Sequence, residues 1–335
     1  MQFTRSFAVA TLLVSTFLCN PAFAQDAAET FPTLSAEIGI EIQNDYVYDS
    51  DDHDEEVNNL RAKIEPYITL GITEEIALEA GLVFEQVRDP DAGDDSYFDG
   101  EGLFAEELKL TYTTDTFGLY AGKFNPQFGT AWEQGLSIYG NDFAEDYELT
   151  ERIGFGGTCT VETENLGTHT FAANLFFADT SFLTDSAITS RGRTSKSDGG
   201  ASNTENLNSF SVAMDSENIF QVEGLNSHFG YRNQHHGDAD AGFDTEHGFA
   251  LGLFYTIPVN EDLEAALKGE WVRLNNADGS DNDMEYLTTG VDFIYQTNWN
   301  LSLAYTERDT LTSASSDIND HLIFTSSLIL RKYRA

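Results

Sequence analysis

Cysteine is nearly missing from this chain. Cys19 lies in an N-terminal apolar stretch, and Cys159 is the only other. With that stretch removed one thiol remains, which excludes an internal disulfide in a protein expected to reach an oxidising compartment. Hydrophobic runs of helix-spanning length are missing too. A transmembrane helix needs about 20 apolar residues, and the uncharged run from Phe7 to Leu18 falls short of that. The run follows Arg5 and precedes Pro21-Ala22-Phe23-Ala24, which is the pattern of a secretory signal peptide. Residues 1–24 are therefore predicted to be the signal and 25–335 the mature domain. Leu18 before Cys19 is not the small residue that a lipid-anchor signal places there.

Basic residues are scarce, 17 Lys and Arg against 57 Asp and Glu, for a net charge of −40. Nucleic acid is excluded as a partner, because binding it requires clustered Lys and Arg that displace counterions. Such acidity could signal disorder. Yet 13% of the residues are aromatic and 41% hydrophobic, which argues for a folded chain with its charge segregated. Signatures of catalysis are lacking as well. No Gly-x-Ser-x-Gly context occurs, His169 and His321 have no nucleophile beside them in sequence, and His235-His236 with His247 lacks a placed third metal ligand. No enzyme activity, metal centre or cofactor is expected.

What the chain does have is alternation. Leu34, Ala36, Ile38, Ile40 and Ile42 interleave with Ser35, Glu37, Gly39, Glu41 and Gln43, and period two is the mark of a strand. The pattern recurs at Leu60 to Leu70, Ile76 to Phe84, Leu108 to Tyr112, Phe171 to Phe177 and Phe210 to Met214. It continues at Phe229 and Tyr231, Phe249 to Tyr255, Leu263 to Trp271, Val291 to Tyr295 and Trp299 to Tyr305. With the remaining segments, roughly fourteen strands of bilayer-crossing length are predicted, twelve or sixteen being allowed. Short connections are expected at Thr73-Glu74-Glu75, Thr114-Asp115-Thr116, Asp215-Ser216-Glu217-Asn218, Asn260-Glu261-Asp262 and Thr297-Asn298. They alternate with long acidic segments at 45–56, 89–101, 238–246 and 278–285. The predicted fold is all-β, a closed antiparallel transmembrane β-barrel with short periplasmic turns and long acidic extracellular loops. A soluble sandwich also alternates, but the many consecutive strands, the single apolar face and the aromatics near strand ends favour the barrel.

One stretch is distinctive: Gly122-Lys123-Phe124-Asn125-Pro126-Gln127-Phe128-Gly129, followed by Asp142-Phe143-Ala144-Glu145-Asp146-Tyr147-Glu148. It resembles proteobacterial outer-membrane porins of the phosphate- and carbohydrate-selective type, in which such a turn opens the third external loop. The resemblance implies a water-filled channel in the cell outer membrane, with the loop at 125–151 folded inward to narrow it. Glu133, Asp142, Glu145, Asp146 and Glu148 would then form the acidic side of the constriction. Alternation predicts Arg61, Lys63, Lys109 and Arg152 on inward positions, with Lys123 of ambiguous phase. Acidic loop and basic wall would set up a transverse field; alternatively these are merely solvated charges.

Phosphate-selective relatives rely on many lumenal Arg and Lys, which this chain lacks. Weak cation preference is predicted instead, with small hydrophilic solutes and cations passing by diffusion. Membrane lipid, lipopolysaccharide and a second and third copy in a homotrimer are the expected partners. Asp238 to Asp244 and Asp278 to Asp283 resemble calcium loops incompletely. They point to non-specific Ca²⁺ or Mg²⁺ condensation rather than built sites. The alternatives are a substrate-specific uptake channel for a sugar or metal chelate, using Trp132, Tyr139 and Tyr147, or a non-conducting structural or adhesive barrel.

Overall fold

The computed structural model describes residues 30–50, 52–133, 142–237, 244–296, 299–312, 318–323 and 327–330. The predicted signal peptide, Tyr139, the Asp238 to Gly242 stretch and the Thr297-Asn298 turn lie outside the described residues. Thirteen long strands are present: β1 (Thr33–Tyr46), β2 (Asn58–Gly71), β3 (Ile76–Gln86), β4 (Glu101–Thr113), β5 (Phe117–Phe124), β6 (Arg152–Thr163), β7 (Gly167–Ala178), β8 (Ser209–Glu217), β9 (Leu225–Gln234), β10 (Glu246–Pro258), β11 (Leu263–Asn275), β12 (Asn282–Tyr295) and β13 (Trp299–Thr312). A fourteenth course, β14, consists of Ile318–Ile323 and Ser327–Leu330, both paired antiparallel with β13. Counting those two segments separately and adding the short strand Ser96–Tyr97 gives sixteen strands. Among the described residues no helix is long and apolar enough to cross a membrane.

The chain divides into two compact units. The first comprises residues up to Thr111 together with Thr180–Thr194. In it β1 and β2, and then β2 and β3, pair antiparallel, and β4 stands next to β3. The register of β1 on β2 sets like against like. Ala36 faces Ile68, Ile38 faces Pro66 and Ile40 faces Ile64, while Glu41 faces Lys63 and Gln43 faces Arg61. A slip of one residue would move every apolar side chain to the polar face, so this pattern fixes the register.

The second unit comprises Tyr112–Asp179 and the chain from Ser195. Here β5 to β14 form an antiparallel meander in sequence order. One face carries Phe155 opposite Leu175, Leu251 opposite Trp271 and Phe293 opposite Leu301. The other carries Asn174 opposite Ser211, Asp292 opposite Ser302 and Thr288 opposite Thr306.

Burial on these two faces is inverted relative to a soluble protein. Leu251 and Leu253 are 50% and 57% exposed, in the company of Leu119, Phe155, Phe171, Phe249, Leu267, Leu301 and Leu303. Asn174, Ser211, His228, Arg232, Glu270, Thr288, Asp292 and Ser302 are buried. An exposed apolar surface of this extent marks a face that meets a membrane or another protein.

The turns mostly fall where alternation stops, but two expectations are corrected. Asp215, Ser216 and Glu217 belong to β8, and the connection to β9 runs over 218–224. Asp215 stays in the strand because its carboxylate bonds His228, its register partner on β9, at 2.7 Å. The acidic segment from Asp278 likewise enters β12 at Asn282. Asp283 and Glu285 are strand residues whose carboxylates lie 3.2 and 3.7 Å from the Arg273 guanidinium on β11.

Candidate functional site: a loop laid on the polar strand face

The strand alternation breaks at Gly122, whose φ of +140° is open to glycine and strained for other residues. Before it, Phe117 and Leu119 alternate onto the apolar face; after it, Lys123 and Phe124 are both buried. Lys123 Nζ contacts Glu151 Oε2 at 2.8 Å and Asp179 Oδ2 at 2.9 Å. The Glu151 N–H donates to Asn125 Oδ1 at 2.9 Å. The two ends of the loop at 125–151 are thus fastened together by one polar clamp.

Between these ends the described parts of the loop meet the polar face of β8 to β13. Gly129 takes φ +71°, and a Cβ there would stand 2.7 Å from the Tyr147 ring. Its N–H donates to His228 Nε2 at 3.1 Å. That bond assigns the tautomer: Nε2 accepts, so Nδ1 carries the proton and donates it to Asp215. The Thr130 N–H and hydroxyl donate to Glu270 Oε2 at 2.8 and 2.9 Å. The Ala131 N–H and the Tyr147 hydroxyl donate to Glu270 Oε1 at 2.9 and 2.7 Å. One buried carboxylate therefore takes four donors, which is how a buried charge is made tolerable.

Arg232 secures the returning limb. Its Nη1 donates to the Tyr147 carbonyl at 2.6 Å, its Nε lies 2.7 Å from Glu246 Oε1, and its guanidinium stacks 4.6 Å over Phe128. Arg308 reaches Asp146 Oδ2 at 2.9 Å and lies 4.6 Å over Phe143. Tyr147 stands edge-on to both Phe128 and Tyr286 in a small apolar cluster. Burial, reinforced by the Glu270 charge, pushes the Tyr147 phenol well above its ordinary value, so the group stays a donor.

Of the acids singled out in sequence, Glu133 ends the short turn Ala131–Glu133, and Asp142 and Glu145 bound the helical turn Asp142–Glu145. Asp146 is ion-paired with Arg308, and Glu148 lines a cavity that also contains Arg152. The Glu133 carboxyl is held above the usual carboxylate range, first by loss of water and then by the charges of Asp215 and Glu270.

The basic side differs from the sequence expectation in its partners. Arg61 pairs with Asp45 at 2.9 Å, Lys63 with Glu65 at 3.0 Å, and Lys109 with Glu107 at 2.8 Å. These charges are neutralised by carboxylates of their own unit, and Lys123 is enclosed in the clamp. Arg152, singled out in sequence, donates to the Thr150 carbonyl of the loop at 2.8 Å. Arg232 and Arg308, which also touch the loop, are ones that sequence reasoning passed over. The signal was present: Phe229 and Tyr231, then Leu303 and Tyr305, set the outward phase and leave Arg232 and Arg308 inward. Among the described residues no group of three or more His, Cys, Asp or Glu could hold a metal ion. His169 Nδ1 lies 2.9 Å from the Ser216 hydroxyl, a neighbour that the sequence did not reveal.

No protein-family model and no curated protein matches this chain. Among solved structures it is similar to the outer membrane channel DcaP of Acinetobacter baumannii, with 12% identity over 83% of this chain and 77% of that one, and a TM-score of 0.40. It is also similar to OmpT, an outer membrane protein of Vibrio cholerae in its trimer form. That match has 13% identity, covers 88% of this chain and 95% of that one, and has a TM-score of 0.38.

Proposed function

We propose that the chain is an outer-membrane porin: a closed barrel whose water-filled lumen passes small hydrophilic solutes by diffusion, weakly favours cations and is narrowed by the loop at 125–151. The observation that carries this reading is the inverted burial of strand after strand, apolar side chains outward and hydrogen-bonded polar ones inward. Lipid accepts the outer face, while the backbone is paired along the strands. The loop supports a constricted lumen because its inner contacts are made by Glu270, Arg232, His228 and Arg308, all inward in phase. Cation preference is supported by the net charge of −40 and by Glu133 and Glu145 on the loop. The reading carries with it secretion by the N-terminal signal, assembly as a homotrimer and no enzymatic activity.

The test is single-channel conductance and reversal potential of the purified protein in a planar bilayer under a KCl gradient. Steady ohmic openings with a cation-selective reversal potential are expected; silence in lipids that support other barrels overturns the channel. Glu133→Gln should move the reversal potential toward zero. Because the Glu133 carboxyl titrates above the usual range, on acidification it gains its proton ahead of carboxylates in that range. The wild type should therefore lose part of its cation preference before ordinary carboxylates titrate, and that early loss should be smaller in the variant. The outward face is tested separately. Leu251→Arg puts a charge between Phe229 and Trp271 on the apolar face and should cost about 2 kcal/mol of stability in bilayers. A variant as stable as the wild type in lipid would contradict a lipid-facing strand.

A further inference from the structure

Above the clamped loop, within the second unit, lies a polar cavity of about 350 Å³. Its lining includes Glu148, Arg152, Arg232, Gln234, Glu246 and Asp278. The charges in it are not balanced pairwise. Arg232 and Glu246 form an ion pair at 2.7 Å, and Asp146 at the margin is matched by Arg308. Arg152 has no such partner. Its Nη1 donates to the Thr150 carbonyl at 2.8 Å, its Nε is buried without a hydrogen-bond acceptor, and no carboxylate among the described residues comes within 4.0 Å of it. A buried guanidinium without an anion is costly unless something else supplies the charge.

The opposite sign is also on offer. Among the described residues the Asp278 carboxylate accepts only a long 3.5 Å bond, from the Ala201 N–H. Gln234 is 3% exposed and uses its amide nitrogen on Glu246 at 2.8 Å, which leaves its carbonyl oxygen buried without a donor. A simple anion would satisfy Arg152 but face Asp278. A simple cation would suit that carboxylate and the Gln234 oxygen but leave Arg152 unmatched. We propose that this cavity is a binding site for a small zwitterion of the α-amino-acid class. Its carboxylate lies on the Arg152 guanidinium, and its ammonium is received by the Gln234 carbonyl oxygen and the Asp278 carboxylate. The volume is at the small end of ligand pockets, which run from about 300 to 1,000 Å³. The inference rests on the channel reading, which it refines from general diffusion to a channel that favours such solutes.

The test separates binding from conduction. Calorimetric titration of the detergent-solubilised full chain with L-norvaline, valerate and n-butylamine compares the zwitterion with its two half-charges at equal size, and needs no open pore. Saturable binding of norvaline is expected, at least tenfold tighter than either half-charge and at least tenfold weaker in both Arg152→Gln and Asp278→Asn. Folding of each variant is verified by the heat-dependent shift in gel mobility. Valerate binding as tightly as norvaline overturns the zwitterion assignment, and absence of saturable norvaline binding to folded wild-type protein overturns the site. In the planar bilayer, norvaline should reduce the open-channel current in a saturable way. A protein that binds norvaline but never conducts keeps the site and loses the channel reading. One that conducts without binding or block keeps the channel and loses the site.

Discussion

Replacing Glu270 with alanine is expected to detach the loop at 125–151, the proposed constriction, from the polar strand face while the strands stay paired. Glu270 receives the N–H groups of Thr130 and Ala131, the Thr130 hydroxyl and the Tyr147 phenol. Alanine returns none of these bonds, and each buried donor left without an acceptor costs about 1–3 kcal/mol. The loop can avoid that cost only by moving into water. The effect should therefore appear less in global unfolding than in the channel: single-channel conductance should rise severalfold and the open-state current should become noisy. Glu270→Gln keeps an acceptor but puts a donor amide among donors, so an intermediate conductance is expected. A Glu270→Ala channel with wild-type conductance would mean that the loop does not set the bore.

Lys123→Met is the variant with the largest expected loss of stability. The lysine is almost fully buried and is a counter-charge for Glu151 and Asp179, the latter entirely enclosed. Methionine fills the volume of the stem but takes the lysine's charge away from both carboxylates. Removing one partner from a buried ionic cluster costs about 3–5 kcal/mol, and the thermal midpoint in detergent should fall accordingly. Lys123→Arg keeps the charge and should recover most of the loss. A Met variant as stable as the wild type would show that water, not the lysine, satisfies these acids.

How much of this could be read from the sequence depends on the range of the interaction. The strands declare themselves because alternation is local: Leu263, Ala265 and Leu267 reveal their face to anyone who counts by two. The same count places Glu270 inward, but nothing near it says that its partners are Thr130 and Ala131, about 140 residues away. Lys123 was ambiguous for a physical reason, since the φ of Gly122 breaks the pleat one residue earlier. Arg61, Lys63 and Lys109 were assigned to a basic wall on phase alone. Phase gives a direction, not a partner, and in the structure each has a carboxylate close by. The Asp215 turn was misplaced because polar residues at a strand end look alike whether they form the turn or bond across the pair.

The clamp at Lys123 has a consequence for the design of the bore. Because Asn125 and Glu151 are joined to each other, the segment between them is a closed ring, and the entropy of closing a ring grows only with the logarithm of its length. Doubling that segment would cost roughly 0.6 kcal/mol, far less than the clamp contributes. On the proposed channel reading, aperture is therefore a separable variable: residues added or removed inside the ring would reset the width of the passage, while the strands outside keep their sequence and their register.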